Sequence, residues 1–251
     1  MKISVCIIAN KLTPRLRDVL LSYKECDELL LGFNGDKQHL VAYEFPTLDN
    51  LQVIQQKWNG YGATKNELAA QARNEWILSV DSDEVADGTL KAALQDFSPA
   101  TNNEIYQLTI RHFFGNSQIK HGAWGRGKTK FLRLYNRSHT NWDTADVHET
   151  ILVKENSIVK ELKGIIQHYT AESAQQFSSK NEHYARLSAS KYYTRGKKAT
   201  WIKRFAAPAF TFLKQYFFQL GFLDGAAGYT IAKGNAKYTF RKYQLLHQLN
   251  K

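Results

Sequence analysis

The first hundred residues alternate short apolar runs with amphipathic stretches, and this alternation restricts the fold more than any other feature of the chain. Residues 2–8 form a strand-like run closed by Asn10. Residues 14–23 follow as a helix, with Pro14 in its first turn and Leu16, Val19, Leu20 and Tyr23 on one face. Residues 27–32 are a second strand, ending at the turn-forming Phe33-Asn34-Gly35-Asp36. Residues 51–54 are a third strand and run into a loop bearing Gly60 and Gly62. Thr64-Lys65-Asn66-Glu67 has the T-x-x-E pattern of a capping box, predicting a helix that opens there and continues through Ala72. A fourth strand, 76–80, precedes a helix over about 89–94. Strand–helix–strand units with connections this short predict an α/β fold, a mostly parallel sheet wound right-handedly with helices on both faces.

The rest of the chain changes character. Residues 105–114, 129–135, 150–153 and 158–168 are strand candidates, and from Ser173 the pattern turns helical over 174–194, 201–220 and 224–249. A core domain over 1–170 and a helical region over 171–251 are the expected division. Charge follows the same division. Residues 1–100 carry a net −4, residues 101–176 a net +3, and residues 177–251 hold 14 basic against 2 acidic residues, a net +12. A catalytic body beside a surface for polyanions is the implication, with nucleic acid and anionic membrane as the two candidate partners. Two cysteines, Cys6 and Cys26, suit reduced thiols better than a disulfide framework. The opening apolar run is too short for a signal-peptide core, so no secretion signal is expected. Residues 205–223 are the stretch most similar to a membrane span, yet Lys214 sits in the middle, costing roughly 2.5–3.5 kcal/mol at mid-bilayer. Its aromatics, flanked by Lys203, Arg204 and Lys214, suit an interfacial helix instead.

The chemistry gathers at strand ends. Strand 76–80 stops in Asp81-Ser82-Asp83-Glu84, three carboxylates within four residues. Their mutual repulsion would raise their pKa values unless a cation sits among them. An Asp-x-Asp offers hard oxygen ligands to Mg²⁺ or Mn²⁺, which can bridge the oxygens of a diphosphate. Ligands in open α/β sheets bind beyond the carboxyl ends of the strands, where Asn10 and Asn34 also fall. Lys65 and Asn66, read as the start of a helix, are placed to hold a phosphate. A second ionisable cluster, residues 142–150, supplies Asp146, His148 and Glu149 as candidates for a general base acting on a hydroxyl nucleophile. His121, Trp124 and Arg126 stand in a polar, glycine-containing segment able to cover a ligand by stacking and charge.

In this order, Asn10, Asp27-Glu28, Lys65-Asn66, Asp81-Ser82-Asp83-Glu84, Val147-His148-Glu149, His168-Tyr169 and Gly221-Phe222-Leu223-Asp224-Gly225 resemble the family 2 glycosyltransferases over nearly the whole chain. The likeness is greatest to bacterial enzymes that add β-1,4-glucose to an inner-core heptose of lipopolysaccharide. What the resemblance implies is a GT-A fold and an inverting transfer from a nucleotide-sugar donor, UDP-glucose foremost, to a lipid-linked oligosaccharide acceptor. By that likeness Asp83 would ligate a divalent cation (Mg²⁺ or Mn²⁺), Asp81 would contact ribose or metal, and Asn10, Asn34, Lys65, Asn66 and Ser82 would line the nucleotide-sugar site. Glu149 would be the base, with Asp146 and His148 beside it; His121, Trp124 and Arg126 would meet the acceptor. The Gln-x-x-Arg-Trp motif of processive synthases is absent, favouring addition of a single sugar. The expected location is cytoplasmic, peripheral on the inner face of the inner membrane, with an anionic membrane surface as partner and no nucleic acid. A non-catalytic basic module would explain residues 177–251 but leave the carboxylates without a role. A phosphoryl-transfer enzyme would share the Asp-x-Asp, but the chain lacks a Walker-type loop.

Overall fold

The computed structural model describes residues 2–125, 129–144 and 149–250. In chain order the elements are β1 (Ile3–Ala9), α1 (Pro14–Ser22), β2 (Glu28–Phe33), α2 (Lys37–Ala42), β3 (Leu51–Gln55), α3 (Tyr61–Ala70), β4 (Trp76–Asp81), β5 (Glu84–Ala86) and α4 (Gly88–Gln95). These are followed by β6 (Glu104–Phe114), β7 (Ser117–Gln118), the single turn α5 (Gly122–Gly125), β8 (Lys130–Asn136), β9 (Ile158–Ala171), α6 (Ala174–Thr194), α7 (Trp201–Leu213) and α8 (Gly225–Leu249).

Strand periodicity sorts the apolar residues into two cores. Ile3, Val5, Ile7 and Ala9 of β1, with Leu29, Leu31 and Phe33 of β2 and Trp76, Leu78 and Val80 of β4, meet Leu16, Val19 and Leu20 of α1 and Leu90 and Leu94 of α4. The intervening residues Cys6, Leu30 and Ile77 point the other way and meet Leu68 and Ala69 of α3. Successive side chains of a strand face opposite sides, so near-continuous apolar runs give a sheet covered on both faces.

The sheet order is β3-β2-β1-β4-β8-β6-β9-β5, with β7 pairing β6. The first four strands are parallel, as the helical crossovers demand. β8 then adds antiparallel to β4 and β6 antiparallel to β8. The expected GT-A arrangement, a helix-flanked sheet followed by basic helices, is present, and its parallel part is these four strands of a mixed sheet.

The chain forms two compact units: 1–110 with 129–168, and 111–128 with 169–251. The excursion 111–128 thus belongs with the second unit, where the sequence division at 170 puts it in the first. In the second unit α8 packs against both α6 and α7. Arg241 donates to Glu182 at 3.0 Å across the α6–α8 contact, and Gly234 of α8 leaves the room that the Phe177 ring of α6 fills.

Three local expectations need correction. α3 starts one turn before the T-x-x-E pattern, with Gly60 as N-cap at φ +90. Thr64 and Glu67 lie inside the helix and reach back to Asn59, Thr64 Oγ1 accepting from its N–H at 3.2 Å and Glu67 from its side-chain amide at 2.8 Å. Residues 150–153 form no strand; a lone bridge joins Ile151 to Trp142, and Leu152 and Val153 are exposed. The helix expected over 201–220 is regular only to Leu213. Wider π-type turns over Lys214–Phe218 follow, and a tight 3₁₀ turn over Gly221–Asp224 comes next. Between them Leu220 adopts φ +61, in the left-handed region, while Gly221 passes so close to the Gln215 carbonyl that a Cβ would sit 2.6 Å from it.

Candidate active site

The register of the parallel strands brings their carboxyl ends to one edge. Asp81 lies level with Ile8 and Phe33 level with Ala9, so Asn10 and Asn34 follow just beyond that same edge. The Asn34 N–H donates to the Ala9 carbonyl at 2.9 Å, and Gly35 passes where a Cβ would be 2.5 Å from the Asn10 carbonyl. At the opposite end of the sheet Asp27 and Glu28 have structural roles. Asp27 accepts from the Ile3 N–H at 3.0 Å, and Glu28 accepts from the Arg73 N–H at 2.8 Å and Nε at 3.0 Å.

Lys65 is the hub of the first unit's charged cluster. It lies on the inward face of α3 and its side chain is only 4 % exposed. Its ammonium is 3.5 Å from Asp81 Oδ1 and 3.3 Å from Glu149 Oε1, and 4.2 Å from the centre of the Trp142 ring. A buried ammonium needs such compensation, because burying a charge without a partner costs several kcal/mol. The strand end and the 142–150 segment are thereby joined through one nitrogen.

The local sequence explains how that segment arrives. Asn66 turns its amide onto the main chain of Trp142, accepting from its N–H and donating to its carbonyl, both at 2.9 Å. Gly62, one turn earlier, lets the Asp143 carbonyl approach to where a Cβ would be 1.8 Å away. The Asp143 N–H then donates to the Thr150 carbonyl at 2.9 Å, and Thr150 N–H returns to the Asp143 carboxylate at 3.2 Å. This closure sets Glu149 against Lys65. Asn66 is therefore in mid-helix with its amide committed to Trp142, rather than at a helix start with free N–H groups.

Behind Asp81 stands a second buried cation that the sequence reading missed. Arg133 of β8 is 2.8 Å from Glu84 Oε1 and 3.5 Å from Asp81 Oδ2. The other oxygen of Glu84 accepts the Asp81 N–H at 2.9 Å. Burial alone would push the Asp81 carboxyl up, but Lys65 and then Arg133 outweigh it and hold the group well below the usual carboxylate range. Glu84, fully buried and beside Asp81, goes the other way: burial and the Asp81 charge raise it, against the pull of Arg133. His168 of β9, level with Glu84 in the strand pairing, has Nε2 3.4 Å from Asp83 Oδ2. Burial disfavours its charged form, yet the Asp83 hydrogen bond and the surrounding carboxylates carry its pKa above the ordinary value.

Thus the structure brings Lys65, Asp81, Asp83, Glu84 and Glu149 together with Arg133, His168 and Trp142, while Ser82, half-buried, joins Asp81 to Asp83. Arg126, Asp146 and His148 lie outside the described residues. His121 and Trp124 belong to the second unit. The His121 N–H and Nδ1 both meet the Asp224 carboxylate, at 2.8 and 2.9 Å, and Trp124 packs edge-on against Phe177 with ring centres 5.4 Å apart. Sequence signals for these two residues existed: Arg133 is the charge in an otherwise apolar 131–135, and His168-Tyr169 is among the segments that carry the resemblance.

Among the described residues no three His, Cys, Asp or Glu side chains are grouped as a metal cage. The donor set nevertheless fits a cation that protein holds only in part. Asp81 and Glu149 meet Lys65, Asp81 and Glu84 meet Arg133, and Asp83 meets His168, and Mg²⁺ in phosphate-transferring sites is commonly bound by one or two carboxylates plus substrate phosphates and water. Chemically the cluster offers an anchored ammonium for an anion, a carboxylate edge for a hard cation, and a further carboxylate able to accept a proton.

Residues 5–219 match the family described as Glycosyl transferase family 2. An uncharacterized glycosyltransferase of Rickettsia prowazekii (strain Madrid E) is 24% identical over 238 residues, covering 91% of this chain and 80% of that protein. One from Rickettsia bellii (strain RML369-C) is 23% identical over 264 residues, covering 99% and 87%. Among solved structures, S. aureus TarS 1-349 in complex with UDP-GlcNAc aligns over 100% of this chain and 93% of that one, with 13% identity and a TM-score of 0.43. With 5–219 of its 251 residues matched, this chain belongs to glycosyl transferase family 2.

Proposed function

We propose that the protein is an inverting hexosyltransferase that moves one sugar, glucose from UDP-glucose, onto a lipid-linked saccharide such as the inner-core heptose of lipopolysaccharide. The observation that carries this reading is the shared ammonium of Lys65, which ties the strand-end carboxylate Asp81 to Glu149. An in-line displacement at an anomeric carbon needs a leaving-group side and a base on the opposite side, held in fixed geometry. Asp81, Asp83, Lys65, Asn10, Asn34 and Ser82 form the donor side in this account, and Glu149 takes the proton from the attacking acceptor hydroxyl. Asn66 acts through Trp142, holding the segment that delivers Glu149. A divalent cation, Mg²⁺ or Mn²⁺, would be held by Asp83 with Asp81, and when bound it neutralises the leaving diphosphate.

His121, Trp124 and Arg126 are assigned to the acceptor, with the Asp224 carboxylate fixing the ring of His121. The net +12 of residues 177–251 supports an anionic membrane surface as the place of work, at the inner face of the cytoplasmic membrane and without a nucleic-acid partner. A screen of UDP-sugars with Mg²⁺ or Mn²⁺ and purified lipid-linked acceptors tests the proposal. UDP should be released with UDP-glucose only when acceptor is present. Failure of every nucleotide sugar to bind or turn over would overturn it.

A further inference from the structure

An amphipathic helix at the surface of a soluble domain turns its apolar stripe inward and its polar face to water. α7 carries apolar residues on both sides. Its half-buried side is Arg204, Ala207, Pro208, Thr211 and Phe212, with Phe212 edge-on to Tyr229 of α8 at 6.0 Å. Its outer side carries Trp201, 75 % exposed, Ile202 at 67 % and Phe210 at 61 %, and the turns that follow add Phe217 and Phe218, the latter 73 % exposed. Single exposed apolar residues need no explanation, but seven large ones within residues 201–218, Phe205 and Leu213 included, mark an interaction surface.

The charges around the row narrow the occupant. Lys203 and Lys214 are exposed along it, and residues 201–218 contain no acidic residue. Asp224, the first carboxylate beyond, is turned inward onto the Lys120 and His121 N–H groups. A second copy of this chain would bring the same positive field against itself, within a region of net +12. Duplex nucleic acid would answer the lysines but offer nothing to the indole and phenyl rings. No helix among the described residues is long and apolar enough to cross a membrane. What fits both the rings and the lysines is a surface whose outer layer is anionic and whose next layer is hydrocarbon.

We propose that the outer face of α7 and its following turns inserts into the headgroup layer of an anionic bilayer. Lys203 and Lys214 lie at phosphate depth, and Trp201, Phe210, Phe217 and Phe218 lie just below it. This assigns residues to the membrane partner named above and rests on that reading for its purpose, since a lipid-linked acceptor must be met at the surface that bears it.

Flotation of the full chain tests the assignment, using vesicles of phosphatidylcholine alone or with about one-third phosphatidylglycerol. The chain should float with the anionic vesicles only, and high salt should weaken but not abolish binding. Phe210→Glu/Phe218→Glu should reduce binding at least ~10-fold, and Lys203→Gln/Lys214→Gln by about the same factor at low salt. These positions are exposed, so an unchanged melting transition is expected for each variant. In the unaltered chain, bromine-labelled acyl chains should quench tryptophan emission, and Trp201→Phe should remove that quenching. Absence of vesicle binding at low salt, equal binding of duplex DNA, or wild-type binding by Phe210→Glu/Phe218→Glu would each overturn the assignment. So would a dimer that the same double variant splits while vesicles are ignored. UDP-glucose binding, measured on the same double variant, should stay at the wild-type level; its loss in every form of the chain would instead count against the glycosyltransferase reading.

Discussion

Lys65→Met removes the one ammonium that two carboxylates share while keeping the length of the side chain. Breaking a buried pair by deleting one partner typically costs roughly 3–5 kcal/mol, because the other charge is left uncompensated. Here Asp81 is 36 % exposed and retains Arg133, whereas Glu149 is largely buried. Water can therefore screen part of the loss, and about 2–3 kcal/mol of unfolding free energy is expected. Urea denaturation followed by circular dichroism measures it. A double-mutant cycle with Glu149→Gln should give a coupling of about 1–2 kcal/mol, since the second change removes a charge that the first had orphaned. The pH dependence has a definite sign. Asp81 has a depressed folded-state pKa, so its contribution is present above the ordinary carboxylate value of 3.8 and fades as pH falls through the folded value. Lys65→Met reduces that depression, so the gap between variant and wild type should narrow as pH drops below 3.8. A loss under about 0.5 kcal/mol, or strict additivity with Glu149→Gln, would refute the bridging role.

Gly62→Ala forces a methyl into the position 1.8 Å from the Asp143 carbonyl; overpacking should cost roughly 1–3 kcal/mol in urea and lower activity by displacing Glu149. His168→Gln should destabilise the protein most at mildly acidic pH. The raised pKa of His168 gives stability that is complete below the ordinary value of 6.5 and disappears as pH rises through the folded value, so the melting-temperature gap should close in alkaline buffer. Burial pushes the Cys26 thiol up to about 12 and Cys6 higher still. Both should therefore resist iodoacetamide in the native protein near neutral pH and react at once in denaturant; rapid native labelling of either would contradict their placement.

Much of the site was legible because it depends on strand ends, and strand ends depend on where apolar runs stop. The run 76–80 stops at Asp81, and the register of β1, β2 and β4 does the rest. α6 was equally legible, its Ser173 accepting the Gln176 N–H as a conventional N-cap. The start of α3 was not, because Gly60 caps it through its backbone conformation and leaves no side-chain signature, while Thr64 and Glu67 imitate one further on. Lys65 was placed near a phosphate from helix polarity, but its buried link to Glu149 spans 84 positions of sequence. Local pattern holds no trace of such a contact. The roles of Arg133 and His168 escaped for the same reason, since their partners Glu84 and Asp83 are brought to them only by the fold.

In the proposed mechanism one edge of the sheet divides donor binding from proton removal. Measuring UDP-glucose affinity and kcat together for Glu149→Gln and Asp83→Ala tests that division. Glu149→Gln should keep donor affinity near wild type while kcat falls ~10²–10⁴-fold. Asp83→Ala should lose turnover together with the dependence of donor binding on Mg²⁺ or Mn²⁺. Full turnover by Glu149→Gln, or unchanged metal-dependent binding by Asp83→Ala, would contradict it.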